Sequence, residues 1–179
     1  MTRRTFIVSG ATMCAAAWTA SLRAAPAQSF EVRHTEAEWR KLLTPDQFAV
    51  LREEATEPPF SSPLDHEKRK GTFACAGCAL DLFSSTTKFD SGTGWPSFWA
   101  PLEKAVGTRR DASLGMIRDA VFCRRCGGHQ GHVFDDGPKP TGLRYCINGL
   151  ALTFKPASPD PSRDNQRTPL IKPGPDTGV

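Results

Sequence analysis

At 179 residues the chain has the length of one domain with a real hydrophobic core. Its formal charge of +4 is concentrated at the start: residues 1–27 hold Arg3, Arg4 and Arg23 and no acid, leaving 20 basic against 19 acidic residues beyond them. A body so close to neutral argues against a nucleic-acid-binding role.

The first segment reads as an export signal. Paired Arg3 and Arg4 precede an apolar stretch from Phe6 to about Leu22, and Ala25-Pro26-Ala27 supplies a small-residue cleavage site. Arg3-Arg4 followed by Phe6 resembles a bacterial twin-arginine signal, which predicts delivery to the periplasm and no stable membrane insertion after cleavage, an uncleaved membrane anchor being the alternative. Cys14 falls in this discarded piece.

Two short helices come next. Thr35-x-x-Glu38 and Thr44-x-x-Gln47 are capping boxes, and Pro45 occupies a first-turn position where its missing N–H costs nothing. Trp39, Leu42, Leu43, Phe48 and Leu51 supply their apolar faces. "TEPPFSSPLD" then breaks the helical pattern. From Gly71 onward, "GTFAC", "PSFWA", "AVGTR", "GMIRDAVFC", "GHVFDD", "LRYCIN" and "LALTFKP" alternate with Gly, Pro and Asp clusters, the spacing of an antiparallel β-domain. This domain spans residues 28–156. Residues 157–179 are proline-rich and nearly free of large apolar side chains, so they read as a flexible tail.

Four cysteines form two Cys-x-x-Cys pairs, Cys75/Cys78 and Cys123/Cys126, separated by 44 residues. Two such knuckles build a tetrahedral sulfur cage, the favoured structural site for one zinc ion. The gap is long for a compact zinc ribbon, so the metal is expected to staple two separate parts of the β-domain. Two disulfides or a redox-active dithiol are the alternatives that an oxidising compartment allows.

Cys146 has no such partner. A closed four-sulfur cage leaves it surplus, and a surplus cysteine is most often a small buried hydrophobe. Its neighbours favour a different role. Along a strand, Arg144, Cys146 and Asn148 share one face, and a guanidinium beside a thiol favours the thiolate. "DDGPKPTG" is a strong turn, and a hairpin symmetric about Lys139 sets His132 opposite Cys146. A one-residue slip in that register would move it. A sulfur nucleophile facing an imidazole has an acid at hand. Trp95, held between Gly94 and Pro96 in "SGTGWPSFW", presents an indole fit to line a small apolar pocket. His129 and Asp136 flank His132 and are expected to orient its ring.

The ordered runs "WRKLLTPDQFAVLREEATEPPFSS", "GTFACAGCALDLFSSTTKFDSGTGWPSF", "CRRCGGHQGHVFDDGP" and "GLRYCIN" resemble methionine-R-sulfoxide reductases of the B type over about residues 35 to 155. The resemblance implies a mainly β fold of two antiparallel sheets stapled by the four-cysteine zinc site. It implies Cys146 as nucleophile and Trp95 packed on the substrate methyl, with His129, His132, Phe134, Asp136, Arg144 and Asn148 around it. It also implies restriction to the R epimer of methionine sulfoxide, free or in oxidised proteins. Two positions depart from the family pattern. Thr93 stands where many relatives carry a recycling cysteine, and Gly149-Leu150-Ala151 replaces a serine-containing continuation. With no thiol to spare, a monomer of this kind depends on an external, thioredoxin-like thiol to regenerate Cys146. The other function classes weighed are a zinc-dependent binding module and a dithiol oxidoreductase.

Overall fold

The computed structural model describes residues 29–158. The expected export signal at residues 1–27, and the expected tail from residue 159 onward, lie outside the described residues.

Both predicted helices form on their capping boxes. In α1 (Glu36–Leu42), Thr35 accepts from the Glu38 amide while Glu38 reaches back to the Thr35 N–H; Thr44 and Gln47 repeat this at α2 (Pro45–Glu53). Each box satisfies amides that a helix start otherwise leaves unpaired. Helices this short are marginal alone. They are held by burying Trp39, Phe48, Val50 and Leu51 in the core.

Nine strands follow: β1 (Gly71–Cys75), β2 (Asp81–Ser84), β3 (Lys88–Phe89), β4 (Ser97–Phe98), β5 (Val106–Asp111), β6 (Arg118–Cys123), β7 (His129–Phe134), β8 (Arg144–Ile147) and β9 (Leu152–Pro156). They make a three-stranded sheet in the order β2-β1-β9 and a six-stranded sheet in the order β3-β4-β8-β7-β6-β5. All strand pairs are antiparallel. The expected mainly β architecture of two antiparallel sheets with short leading helices is what the chain adopts. The sequence pattern did not mark β2 and β3, which are short. Conversely, "GMIRDAVFC" enters its strand only at Arg118, because Met116 and Ile117 are apolar but 50% and 66% exposed, with no face to bury.

The sheets meet through aromatic rings. Phe73 of β1 and Phe83 of β2 pack on Phe98 of β4, with ring centroids 5.0 and 4.4 Å apart, and all three are fully buried. Burying each ring is worth about 1.5–3 kcal/mol. Phe98 belongs to the strand that carries the Trp95 loop, so this packing also fixes one wall of the site. None of the helices is long and apolar enough to cross a membrane, among the described residues.

Candidate active site

The face of the large sheet carries the site as two adjacent rows. Cross-strand pairing aligns Ser97, Cys146, His132, Ala120 and Arg109 in one row. Two residues further along each strand lie Arg144, Phe134, Arg118 and Asp111, with Arg144 paired to Phe134 and Arg118 to Asp111. Residues two apart share a face. The β7–β8 register is thus the one expected from a hairpin symmetric about Lys139, and His132 is the direct partner of Cys146. Gly131 makes this closeness possible, since a Cβ there would stand 2.1 Å from the Cys146 carbonyl oxygen, at a φ of +153°.

His132 takes its carboxylate from Asp111 rather than from Asp136. Its Nε2 lies 2.8 Å from Asp111 Oδ2, and Arg118 donates to the same oxygen at 2.9 Å. The Ser113 backbone and side chain, then His132 and Arg118, hold the Asp111 carboxyl well below the ordinary carboxylate range. An ionised carboxylate only accepts, so Nε2 carries a proton, and in the neutral ring Nδ1 then holds the lone pair. Asp136 is instead spent on Arg144, in a two-point pair with both N–H···O distances at 2.8 Å. The cause is local: Asp136 and Arg144 lie at the same hairpin end, four residues beyond His132 and two before Cys146. Asp136 therefore orients Arg144, whose guanidinium also lies 4.5 Å over the Phe134 ring.

His129 sits edge-on to His132, with ring centroids 5.3 Å apart. It is buried and neither ring nitrogen has a hydrogen-bond partner. Burial, then the nearby His132 and Arg109, push its pKa down to about 4. It is a neutral ring behind His132 and makes no hydrogen bond to it.

Trp95 is fixed by Glu57, a residue the motifs did not single out. The indole Nε1 donates to the Glu57 carbonyl at 3.1 Å, and the Glu57 N–H donates to Asn148 Oδ1 at 3.0 Å. The Glu57 carboxylate accepts from the amides of Gly149 and Leu150 at 2.6 and 2.8 Å, directly after the Cys146 strand. Asn148 Nδ2 completes the link by donating to the Gln130 carbonyl at 3.1 Å. Gly94, next to the indole, has φ +86°, and a Cβ there would meet the Phe60 amide nitrogen at 2.7 Å. Thr56, Trp95, Arg118, Gly131, His132, Phe134, Cys146 and Asn148 together line a cavity of about 140 Å³. A wider groove of about 840 Å³ between α2, residues 58–64 and β9 has no cysteine or histidine in its wall.

At Cys146 burial prevails over the guanidinium. Burial pushes the thiol up, against the opposing pull of the Thr93 hydroxyl, Arg144 and Ser97. The thiolate expected from Arg144 alone is therefore offset by desolvation.

The four paired cysteines converge, with their sulfurs all within 4.8 Å of one another. Cys75 and Cys126 approach to 3.7 Å and Cys78 and Cys123 to 3.5 Å. A tetrahedral ion with bonds of about 2.3 Å sets sulfur–sulfur edges near 3.8 Å. A disulfide needs about 2.05 Å. The four sulfurs form one cluster rather than two separate bridged pairs, an arrangement that fits a metal cage. Cys75 ends β1 and Cys123 ends β6, so a bound metal would staple the small sheet to the large one. The cluster is three residues along and two strands across from Cys146, on the order of 10–15 Å by strand geometry.

A half-buried thiol paired across strands with a carboxylate-held imidazole thus shares its cavity with an indole, apart from a cluster of four cysteines that could hold a metal. The SelR domain model matches residues 43–156. The chain is 58% identical over 127 residues to "Peptide methionine sulfoxide reductase MsrB" of Bradyrhizobium diazoefficiens, covering 70% of this chain and 91% of that one. Proteins of the same name from Leptospira interrogans and Agrobacterium fabrum are 49% and 51% identical, over 71% and 70% of this chain and 98% and 94% of theirs. The chain belongs to the SelR-domain family of MsrB methionine sulfoxide reductases.

Proposed function

We propose that the protein reduces the R epimer of methionine sulfoxide to methionine, with Cys146 as nucleophile and an external thiol as reductant. The pairing of His132 with Cys146 inside the Trp95 cavity is the observation that carries this reading. Reaction begins when Cys146 loses its proton to His132 Nδ1, the ring nitrogen that Asp111 leaves free. The thiolate attacks the sulfoxide sulfur, and His132 returns the proton to the departing oxygen. As the adduct collapses, the hydroxyl passes to the Cys146 sulfur, the substrate S–O bond and the newly made S–S bond both break, methionine leaves reduced by two electrons, and Cys146 is left as a sulfenic acid. Protons balance, since thiol plus sulfoxide gives sulfenic acid plus thioether.

Arg144 holds positive charge beside the sulfur and is itself braced by Asp136. Trp95 offers its ring face to the substrate methyl, with Phe134 on the same wall. Cys75, Cys78, Cys123 and Cys126 fit zinc by donor type and spacing, and four sulfurs leave such an ion no open position. The twin arginines and the Ala25-Pro26-Ala27 site support periplasmic delivery. The deciding assay offers resolved R and S sulfoxides, free and in a peptide, to the protein with dithiothreitol. The R epimer is expected to be consumed and the S epimer spared, and Cys146→Ser is expected to abolish turnover. Turnover of both epimers, or substantial activity in Cys146→Ser, would refute the reading.

A further inference from the structure

The loop before β4 carries hydroxyls in a line that ends at the Cys146 sulfur. Thr93 Oγ1 lies 3.8 Å from Cys146 Sγ, Ser91 Oγ 2.8 Å from Thr93 Oγ1, and Ser97 Oγ 2.7 Å from Ser91 Oγ. Ser97 Oγ in turn lies 3.0 Å from the carbonyl oxygen of Trp95. Ser97 is fully buried and is the cross-strand partner of Cys146.

Four contacts connect these groups, and each needs one hydrogen. With Cys146 as a thiol, its S–H and the three O–H groups fill all four in one direction. The thiol donates to Thr93, Thr93 to Ser91, Ser91 to Ser97, and Ser97 to the Trp95 carbonyl. Once the thiol proton leaves, three hydrogens serve four contacts. A thiolate only accepts, so Thr93 turns its hydroxyl onto sulfur, and the remaining contacts stay filled up to the end of the line when Ser91 turns onto Thr93 and Ser97 onto Ser91. The carbonyl of Trp95 is the contact left without a donor. The line cannot carry the proton away, because a backbone carbonyl cannot take it up and pass it on. Its available response to ionisation is rotation of the three hydroxyls.

We propose that Thr93 is a catalytic residue that turns its hydroxyl onto the Cys146 thiolate, with Ser91 and Ser97 as positioning residues that reverse direction with it. This inference rests on Cys146 being the nucleophile and extends that reading to how a buried thiolate is solvated. Hydrogen bonds to an ionised acceptor are the strong kind. Among the contacts that pull the Cys146 thiol back against burial, the Thr93 hydroxyl comes first, ahead of Arg144 and Ser97. The departure from the family pattern at this position thus exchanges a second thiol for a donor to the first.

The test measures alkylation of Cys146 by iodoacetamide in the full chain against pH, read on the Cys146 peptide by mass spectrometry. Thr93→Val keeps the shape and removes the hydroxyl. Its profile is expected to move to higher pH, with alkylation about tenfold slower at a fixed pH below the midpoint and the same plateau above it. Thr93→Ser is expected to restore the original profile, and Ser91→Ala to move it the same way by less. Superimposable profiles for the unmodified protein and Thr93→Val would overturn the proposal, as would a loss that Thr93→Ser does not restore. If Thr93→Val does not fold, an unmoved Ser91→Ala profile overturns it equally. Retained sulfoxide reduction in Cys146→Ser would instead sink the nucleophile assignment, and the alkylation profile does not depend on that assay.

Discussion

Asp111 Oδ2 is shared between His132 Nε2 at 2.8 Å and an Arg118 nitrogen at 2.9 Å, so one carboxylate oxygen at the end of β5 sets the proton on a ring two strands away. Replacing Asp111 by Asn removes the obligatory acceptor and lets the imidazole place its proton on the wrong nitrogen. Turnover in Asp111→Asn is expected to fall about 10²-fold, at the low end of what a positioned acid supplies. His132→Ala is expected to lose as much or more, and Asp136→Asn far less, because Asp136 bonds Arg144 instead. Steady-state kinetics on the R sulfoxide check the ranking. An Asp136→Asn loss larger than that of Asp111→Asn would reverse the assignment.

Cys78→Ser is expected to empty the cysteine cluster and lower thermal stability before any specific catalytic defect. One missing thiolate opens the cage, and metal binding at such a site is folding free energy. The cluster ties β1 to β6, so its loss loosens the two sheets relative to each other. Metal content by elemental analysis and the melting temperature should fall together. A stable, metal-free, fully active variant would remove the structural role.

His129 gives the fold an acid-sensitive limb. Its pKa is about 4 in the folded protein against an ordinary 6.5, because burial opposes the charge. The unfolded chain therefore binds the proton more readily, and stability rises with pH through this window. The contribution is intact above about pH 6.5 and is lost as pH falls toward 4, with about 2 kcal/mol gone between about pH 7 and pH 5. Urea unfolding at those two pH values should show the loss in the unmodified protein. In His129→Leu that part of the pH dependence should be absent, whatever the variant's overall stability.

What the sequence made legible follows from how local each signal is. Capping boxes and Cys-x-x-Cys pairs declare themselves within a few residues, and both helices and the cysteine cluster formed where those signals stood. The His132–Cys146 pairing was readable because a single tight turn joins their strands. Asp111 and Arg118 escaped although the same hairpin reasoning would have set them opposite each other on β5 and β6. Their relation to His132 depends on how β6 pairs with β7, and a register shift at Val121/Phe122 interrupts that alternation. Glu57 and Thr56 lie in a loop with no period at all. Their role comes from packing against residues about 40 and 90 positions away, which no short-range pattern encodes.

On the proposed mechanism, regeneration of Cys146 is expected to come from outside the described fold. Its five cysteines are Cys146 and the four of the cluster, and cleavage of the export signal would remove Cys14. A sulfenic acid on Cys146 then has no free thiol of its own chain to condense with, so an external thiolate attacks its sulfur, water leaves, and a mixed disulfide forms. One turnover without reductant should leave Cys146 trappable by a sulfenate reagent, with no intramolecular disulfide and the cluster's metal retained. The position beside it is already close: Thr93 Oγ1 is 3.8 Å from Cys146 Sγ, so a sulfur placed there needs a shift of less than 2 Å to reach bonding distance. Thr93→Cys should therefore convert the same single turnover into a Cys146 disulfide, seen as a cross-linked peptide and as loss of sulfenate labelling. Its activity with dithiothreitol should persist, since that reductant opens the new bond. A Cys146 disulfide to Cys75, Cys78, Cys123 or Cys126 in the unmodified protein, with metal released, would place the cluster in the catalytic cycle and overturn its assignment as a staple.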